Sequence, residues 1–489
     1  MSQVRLWQPT LIVAVAFALV SVAGAQATAP SLTQISTDPY TNATSQHATE
    51  EEPDTFADHG TVVAAFQVGR FFNGGASDIG VVRSGDGGAT WDAPGFLHDT
   101  FNSGDASSPY ERVSDASVAY DAFHHVWLVS SIPLLPTASV PTVFVNRSTD
   151  DGQTWGPPIS LPPPVSNSVD LDKNWTACDN HPSSPFFGHC YTELDNFGDG
   201  DLELMSTSID GGLTWSTPIK TAGNDKGLGG QPVVQPSGKV IVPFESLNGT
   251  ISSFSSDNGG ASWDKAVTVS HIRFHRNTGG LRTSPLPSAE IAADGKVFVA
   301  WEDCRFRKKC PANDIVFSTS TDGVSWSDVA RVPIDDVTSS VDHFIPGLAV
   351  DPTSAGSTTN LALTYYFYPD TTCTGGCQLD VGYISSPDGG AHWGAPTQLA
   401  GPMTLDQIAQ TSQGPMVGDY ISTSISGGFA ATVFAVGKPP AGTAAFDEAM
   451  DSPGQLPIAT ATQATRLSTT AGAADGPGIG DTIRAIRQD

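Results

Sequence analysis

The stretch SGDGGATW, residues 84–91, places a serine, an aspartate, two glycines and a tryptophan within eight residues. A catalytic loop and a structural turn would both use these residue types, and recurrence separates the two. Five further copies follow: STDDGQTW (148–155), SIDGGLTW (208–215), SDNGGASW (256–263), the shorter STDGVSW (320–326) and SPDGGAHW (386–393). Successive tryptophans stand 64, 60, 48, 63 and 67 residues apart, an array with a period of about 60. Six copies at that spacing mark a repeated structural unit.

Alternating and β-branched runs precede each copy. SDASVAYD, HHVWLVSS and TVFVNRS lead into the second box, and GLAVD, LALTYYF and LDVGYISS into the sixth. Three strands, a box turn and a short fourth strand predict one four-stranded antiparallel sheet per repeat, and helical periodicity is nearly absent. Such sheets expose edges and faces unless they stack, and radial stacking gives an all-β propeller. In the box turn the Asp side chain accepts from nearby N–H groups, the glycines permit positive φ, the hydroxyls add local bonds, and the Trp packs between blades. GDYISTSIS (418–426) and FAATVFAVG (429–437) add two strands without a box. A seventh blade completed by residues near 31–48 is expected, with six blades as the alternative.

Arg5, the apolar run LIVAVAFALV and Ala23-Gly24-Ala25 have the layout of a secretory signal over residues 1–25. The propeller domain is expected over 26–445, followed by a mobile Ala, Thr, Gly, Pro and Asp tail over 446–489. No later segment has about 18 uninterrupted apolar residues, as a membrane span would need. The six cysteines fall into near neighbours, so the disulfides Cys178 to Cys190, Cys304 to Cys310 and Cys373 to Cys377 are expected. Their spacings match no zinc knuckle, and neither a metal nor a cofactor is expected. A net charge of -28 argues against nucleic acid and anionic membranes as partners. The expectation is a soluble monomer, exported to the periplasm or the extracellular space.

The boxes resemble the Asp boxes of the sialidase-type, or BNR-repeat, β-propellers, and the resemblance covers roughly residues 45–435. Two positions depart from it, with Asn258 in place of Asp and His392 in place of Thr. The resemblance implies that the boxes are structural and lie on the face opposite the active site. Chemistry is then sought in the loops leading into each first strand and in those joining second to third strands. These contain Arg70, the segment WEDCRFRKKCPANDI (301–315), the segment HIRFHRNTGGLRTSP (271–285), DLDKNW (170–175), the pair Asp342 and His343, Tyr366 and Tyr368, and Asp419 with Tyr420.

Arginines converging on a funnel suit a carboxylate ligand, because guanidinium binds it bidentately and stays charged. Sialidases hold sialic acid with three arginines, next to a tyrosine nucleophile activated by a Glu and an Asp acid/base. Carried onto this chain, the resemblance implies Arg70, Arg282 and Arg305 as the arginines, with Arg276, His343 and Asp419 as further substrate contacts. It implies Tyr420 as nucleophile and Glu302 or Asp303 in the acidic roles. The Arg-Ile-Pro motif that opens the first sialidase blade is absent, and EEEPDTFAD stands there instead. Arg70 and Arg305 also occupy equivalent positions in two repeats, where they could brace their loops against Asp78 and Asp314. Asp172 and Lys173 read as a surface pair or as a support for Trp175. The implied activity is that of an exo-α-sialidase acting on a glycan. Another glycosidase, a polysaccharide lyase, and a non-catalytic glycan- or protein-binding propeller are the alternatives.

Overall fold

Each box closes on itself through the side chain of its aspartate, or of Asn258 in the fourth. In the computed structural model, Asp86 Oδ1 accepts the Thr90 N–H at 2.9 Å and Oδ2 accepts the Thr90 hydroxyl at 2.7 Å, while Ser84 Oγ accepts the Gly88 N–H at 2.8 Å. Gly88 has φ 88°, and a Cβ there would sit 2.5 Å from that of Ala431 in a neighbouring sheet, so glycine is required twice over. Asp150, Asp210 and Asp388 repeat the arrangement. Asn258 reproduces it with an amide, its Oδ1 accepting from Ser262 N and its Nδ2 donating to Ser262 Oγ. His392 replaces the threonine hydroxyl with Nδ1, 2.5 Å from Asp388 Oδ2. Both sequence departures therefore keep the turn.

These turn bonds hold the Asp150 and Asp322 carboxyls at about 2, led by the Thr154 hydroxyl and the Ser325 N–H respectively. A carboxyl with a depressed folded pKa stabilises the fold above its unfolded value near 4 and loses that contribution as pH falls through about 2. Asp86→Ala is expected to cost about 1 kcal/mol in urea denaturation, and Asp86→Asn much less, because Asn258 already does the same work. Equal losses for the two variants would contradict this account of the box.

The structure describes residues 30–373, 376–463 and 465–466, so the signal-peptide expectation for 1–25 and the tail from 467 onward lie outside it. Within it the chain forms successive antiparallel sheets. Glu50–Asp58, Thr61–Arg70, Ala76–Ser84 and Gly95–Phe96 pair in order, and Arg112–Asp121, Val126–Leu134, Phe144–Ser148 and Ile159–Ser160 repeat the pattern. A single residue pair, Ala76 with Val113, links the two sets. The third sheet begins with Leu171–Cys178, the fifth with Ser288–Ile291 and the sixth with Asp342–Val350. The fourth has a split first strand, Gly227–Leu228 and Val233–Val234, paired with Val240–Ser246. In every box-bearing sheet the box follows the third strand.

The last sheet has no box. Ser422–Ser426 pairs with Phe429–Gly437, which pairs with Glu448–Ser452, and Thr33–Gln34 adds at the outer edge. The tail expected from residue 446 is corrected here. Residues 448–452 are fully buried in that sheet, and Gln455–Pro457 also pairs with Phe429–Gly437. First strands of neighbouring sheets are stitched by side chains: Val118 N donates to Asp54 Oδ2 at 2.7 Å, Thr176 N to Ser117 Oγ at 3.1 Å, and Leu348 N to Ser288 Oγ at 3.0 Å. Thr55 Oγ1 lies 2.9 Å and 2.8 Å from the hydroxyls of Ser422 and Ser424, connecting the last sheet with the first. Box tryptophans pack on the preceding sheet, as Trp393 does on Phe317 and Trp263 on Tyr191.

All six cysteines pair as expected, Cys178 with Cys190, Cys304 with Cys310 and Cys373 with Cys377. Among the described residues no helix is long and apolar enough to cross a membrane.

Candidate active site

Strand register separates the two ends of each sheet. Ser84, the first box residue, pairs with Val62, which pairs with Ala57 near the end of the first strand. The start of that strand, Glu50 and Glu51, therefore lies at the opposite end. The third sheet repeats this, with Cys178, Cys190 and Ser208 aligned at the box end and Asp172, Asp195 and Glu203 aligned at the other.

At that second end, four first strands each carry a bulge. The register slips between Glu51 and Asp54, Ser114 and Ser117, Asp172 and Asn174, and Phe344 and Gly347. Inside the slips Glu52, Asp115, Lys173 and Ile345 take φ of 53°, 52°, 39° and 49°, the left-handed region that side chains other than Gly rarely adopt. Bulges re-aim side chains, and strained backbone of this kind gathers at functional sites. Three of the four residues converge. Lys173 Nζ lies 2.7 Å from Asp419 Oδ2, 3.2 Å from Asp115 Oδ1 and 3.8 Å from Glu52 Oε1. Arg282 grips Asp419 with both arms of its fork, Nε at 2.8 Å and Nη2 at 2.6 Å.

A cavity of about 100 Å³ opens beside this cluster. Glu52, Asp115, Asp170, Asp172, Lys173, Arg70 and Arg282 are its charged lining, and Ile132, Leu134, Val140 and Phe197 also line it. The hairpin of Ala409–Thr411 and Gly414–Met416 runs across the site, where Pro415 O accepts the Arg282 N–H at 2.9 Å. Burial pushes the Glu52 carboxyl up to about 6 despite the Lys173 ammonium, and it raises Asp115 and Asp172 as well. Burial would raise Asp419 too, but Arg282 and Lys173 hold it well below the usual carboxylate range.

Arg282 and Asp419, expected from the sequence, are in the cluster. Arg70 lines the cavity, but its loop is not braced by Asp78. Its Nε lies 2.6 Å from Glu51, while Asp78 is bonded to Tyr40 and the His98 backbone. Arg305 is elsewhere, held by Asp303 at the end of the preceding strand and by Ser270 and His271, and it is not braced by Asp314. Arg276 is exposed. Glu302 is buried, its Oε2 accepting the Ile345 N–H at 3.0 Å, and neither it nor Asp303 lines the cavity.

Tyr420 lies beneath the cluster. Its hydroxyl donates to Ala116 O at 3.2 Å and its ring meets Trp175 edge-on at 5.2 Å. Burial, then the carboxylates Glu52, Asp115, Asp54 and Asp419, push its phenol well above the ordinary value, so it stays protonated. His343 is buried against Tyr365 and Phe367. With Asp314 and Asp335 it forms a group that could in principle hold a metal. Arg307 already sits 2.7 Å from Asp314 and 2.8 Å from Asp335, and Arg331 2.8 Å from Asp314, so a cation there would meet two fixed guanidinium groups.

Sequence reasoning missed Glu52 and Asp115 and underrated Asp172 and Lys173. One signal was present: Pro53 and Pro346 each directly follow a bulge residue inside a strand, and interior strand prolines mark bulges.

Residues 60–292 match the family model described as a BNR repeat-like domain, which bears out the resemblance drawn from the boxes. No curated protein matches the chain. Among solved structures, a protein of unknown function from Dyadobacter fermentans is similar at 16% identity and a TM-score of 0.46, over 73% of this chain and 99% of that one. The NanB sialidase from Streptococcus pneumoniae is similar at 14% identity and a TM-score of 0.42, over 89% and 71%. An α-L-arabinanase from Penicillium chrysogenum is similar at 13% and 0.42, over 87% and 97%.

Proposed function

We propose that the sheets are the seven blades of one exported propeller and that the protein hydrolyses a glycosidic bond in the cavity at their bulged ends. The observation that carries this is that Glu52, Asp115 and Lys173, from three sheets, and Arg282 line one cavity at the end away from the boxes, with Asp419 bonded to both cations. Glycoside hydrolysis needs one carboxylic acid to protonate the leaving oxygen and one carboxylate to stabilise the developing positive charge or activate water. Environment sorts the two. Asp172 is half-buried, has no cation in salt-bridge contact among the described residues, and is the proton donor. Asp115, 3.2 Å from the Lys173 ammonium, is the carboxylate.

The narrower exo-α-sialidase assignment has less support. It asks for three arginines at the site, and among the described residues only Arg70 and Arg282 line the cavity, each committed to a carboxylate. Glu52 occupies the first-strand region where sialidases place an arginine. It also asks for a reactive tyrosine, and Tyr420 is buried and protonated.

A panel of aryl glycosides tests the proposal, with released phenol as the readout. Because Asp172 must be protonated to act, and burial raises its pKa, kcat/KM is expected to fall tenfold per pH unit once pH exceeds that raised value. A profile that is flat, or that rises with pH, would remove Asp172 from the acid role. No release from any glycoside would leave a binding propeller as the better description.

A further inference from the structure

We infer that the cavity takes a donor-rich sugar unit without negative charge, carrying hydroxyl or ammonium groups, and excludes acidic sugars; this presupposes the glycan-acting site proposed above. The inference comes from which charges at the cavity are already satisfied. All three cations are occupied: Arg70 by Glu51 at 2.6 Å, Lys173 by Asp419 at 2.7 Å, and Arg282 by Asp419 at 2.6 Å. A ligand carboxylate would have to displace a protein carboxylate from one of these pairs and leave it buried without a partner, which is costly. It would also approach Asp170 and Asp172 on the same wall.

Those two aspartates are where the ligand has something to gain. Asp170 Oδ1 accepts the Val140 N–H at 2.9 Å and Asp172 Oδ1 accepts the Lys173 N–H at 3.0 Å. Among the described residues neither has a cation in salt-bridge contact, and both are half-buried at the cavity wall. Both carboxyl groups accept hydrogen bonds from hydroxyl or ammonium donors, Asp172 through its carbonyl oxygen while it carries its proton. Ile132, Leu134, Val140 and Phe197 give the same cavity an apolar lining, and Phe197 is 42% exposed. A pyranose or furanose ring offers both surfaces, polar edges for the aspartates and a C–H face for the phenyl ring.

The test is direct binding to the full-length protein, by saturation-transfer NMR titration, of glucose, galactose, arabinose, glucosamine and N-acetylneuraminic acid. At least one of the first four is expected to bind about tenfold or more tightly than N-acetylneuraminic acid, since each 1.4 kcal/mol of like-charge repulsion is a factor of ten. Tighter binding of glucosamine would identify ammonium as the donor, and tighter binding of a neutral sugar would identify hydroxyl. The isosteric double variant Asp170→Asn with Asp172→Asn is expected to narrow the gap to N-acetylneuraminic acid by at least about tenfold. N-acetylneuraminic acid binding as tightly as the best of the others, or an unchanged gap in the double variant, would overturn this inference alone. Sugar binding without cleavage in the aryl glycoside panel would overturn the hydrolase assignment and leave this one standing. No sugar binding at all would overturn both.

Discussion

Replacing Lys173 with methionine should cost about 3 to 5 kcal/mol of folding free energy, the range for breaking one side of a buried ion-pair cluster. The lysine side chain is 7% exposed, and its ammonium is the sole cation in salt-bridge contact with Glu52 and Asp115 among the described residues. Asp419 keeps Arg282 when Lys173 is removed. The loss therefore falls on two buried carboxylates whose pKa values burial already raises. A carboxyl with a raised folded pKa destabilises the fold fully above that folded value, and the cost declines as pH falls below it and vanishes below the unfolded value. The deficit of Lys173→Met in urea denaturation should shrink between pH 7 and pH 5, and adding Asp115→Asn should recover part of it at pH 7. A deficit below 1 kcal/mol, or one independent of pH, would mean that Lys173 is not the counterion of this cluster.

Asp115→Asn should leave the fold intact and lower kcat by about 10² to 10⁴, the usual contribution of a positioned catalytic carboxylate. Asparagine tolerates positive φ nearly as well as aspartate, so the bulge survives and the effect is chemical. Tyr420→Phe supplies the contrast. It removes one hydrogen bond, from the hydroxyl to Ala116 O, and should lower kcat by less than about tenfold. In a sialidase-type mechanism the order reverses, with the tyrosine variant inactive. Measuring both variants on the best substrate of the aryl glycoside panel separates the two mechanisms.

The boxes were legible because their chemistry is local. An aspartate that bonds a residue four positions on carries its whole explanation in eight letters, as Asp86 and Thr90 show. The same locality made the disulfide pairings legible. The outer strand at Glu448–Ser452 was missed because composition, rich in Ala, Gly and Thr, stood in for pairing, while its partners are a strand upstream and the N-terminal Thr33–Gln34. The site was harder for a related reason. Glu52, Asp115 and Lys173 point at one another because a bulge turns each strand at a single residue, and no run of alternating letters records a register slip. Arg305 shows the converse. Its equivalence to Arg70 in two repeats was a signal of loop bracing, and the brace exists, but its carboxylate is two residues away, at the end of the strand that enters the loop.

The bulged ends of the sheets, and not the box face, are proposed to hold the sugar. A crystal structure of the protein soaked with the tightest-binding monosaccharide tests this most directly. The expected result is one sugar in the cavity, with ring hydroxyls or an ammonium group against Asp172 and Asp170 and a C–H face on Phe197. Sugar density confined to the box turns, or to any surface that lacks Asp115 and Asp172, would contradict it.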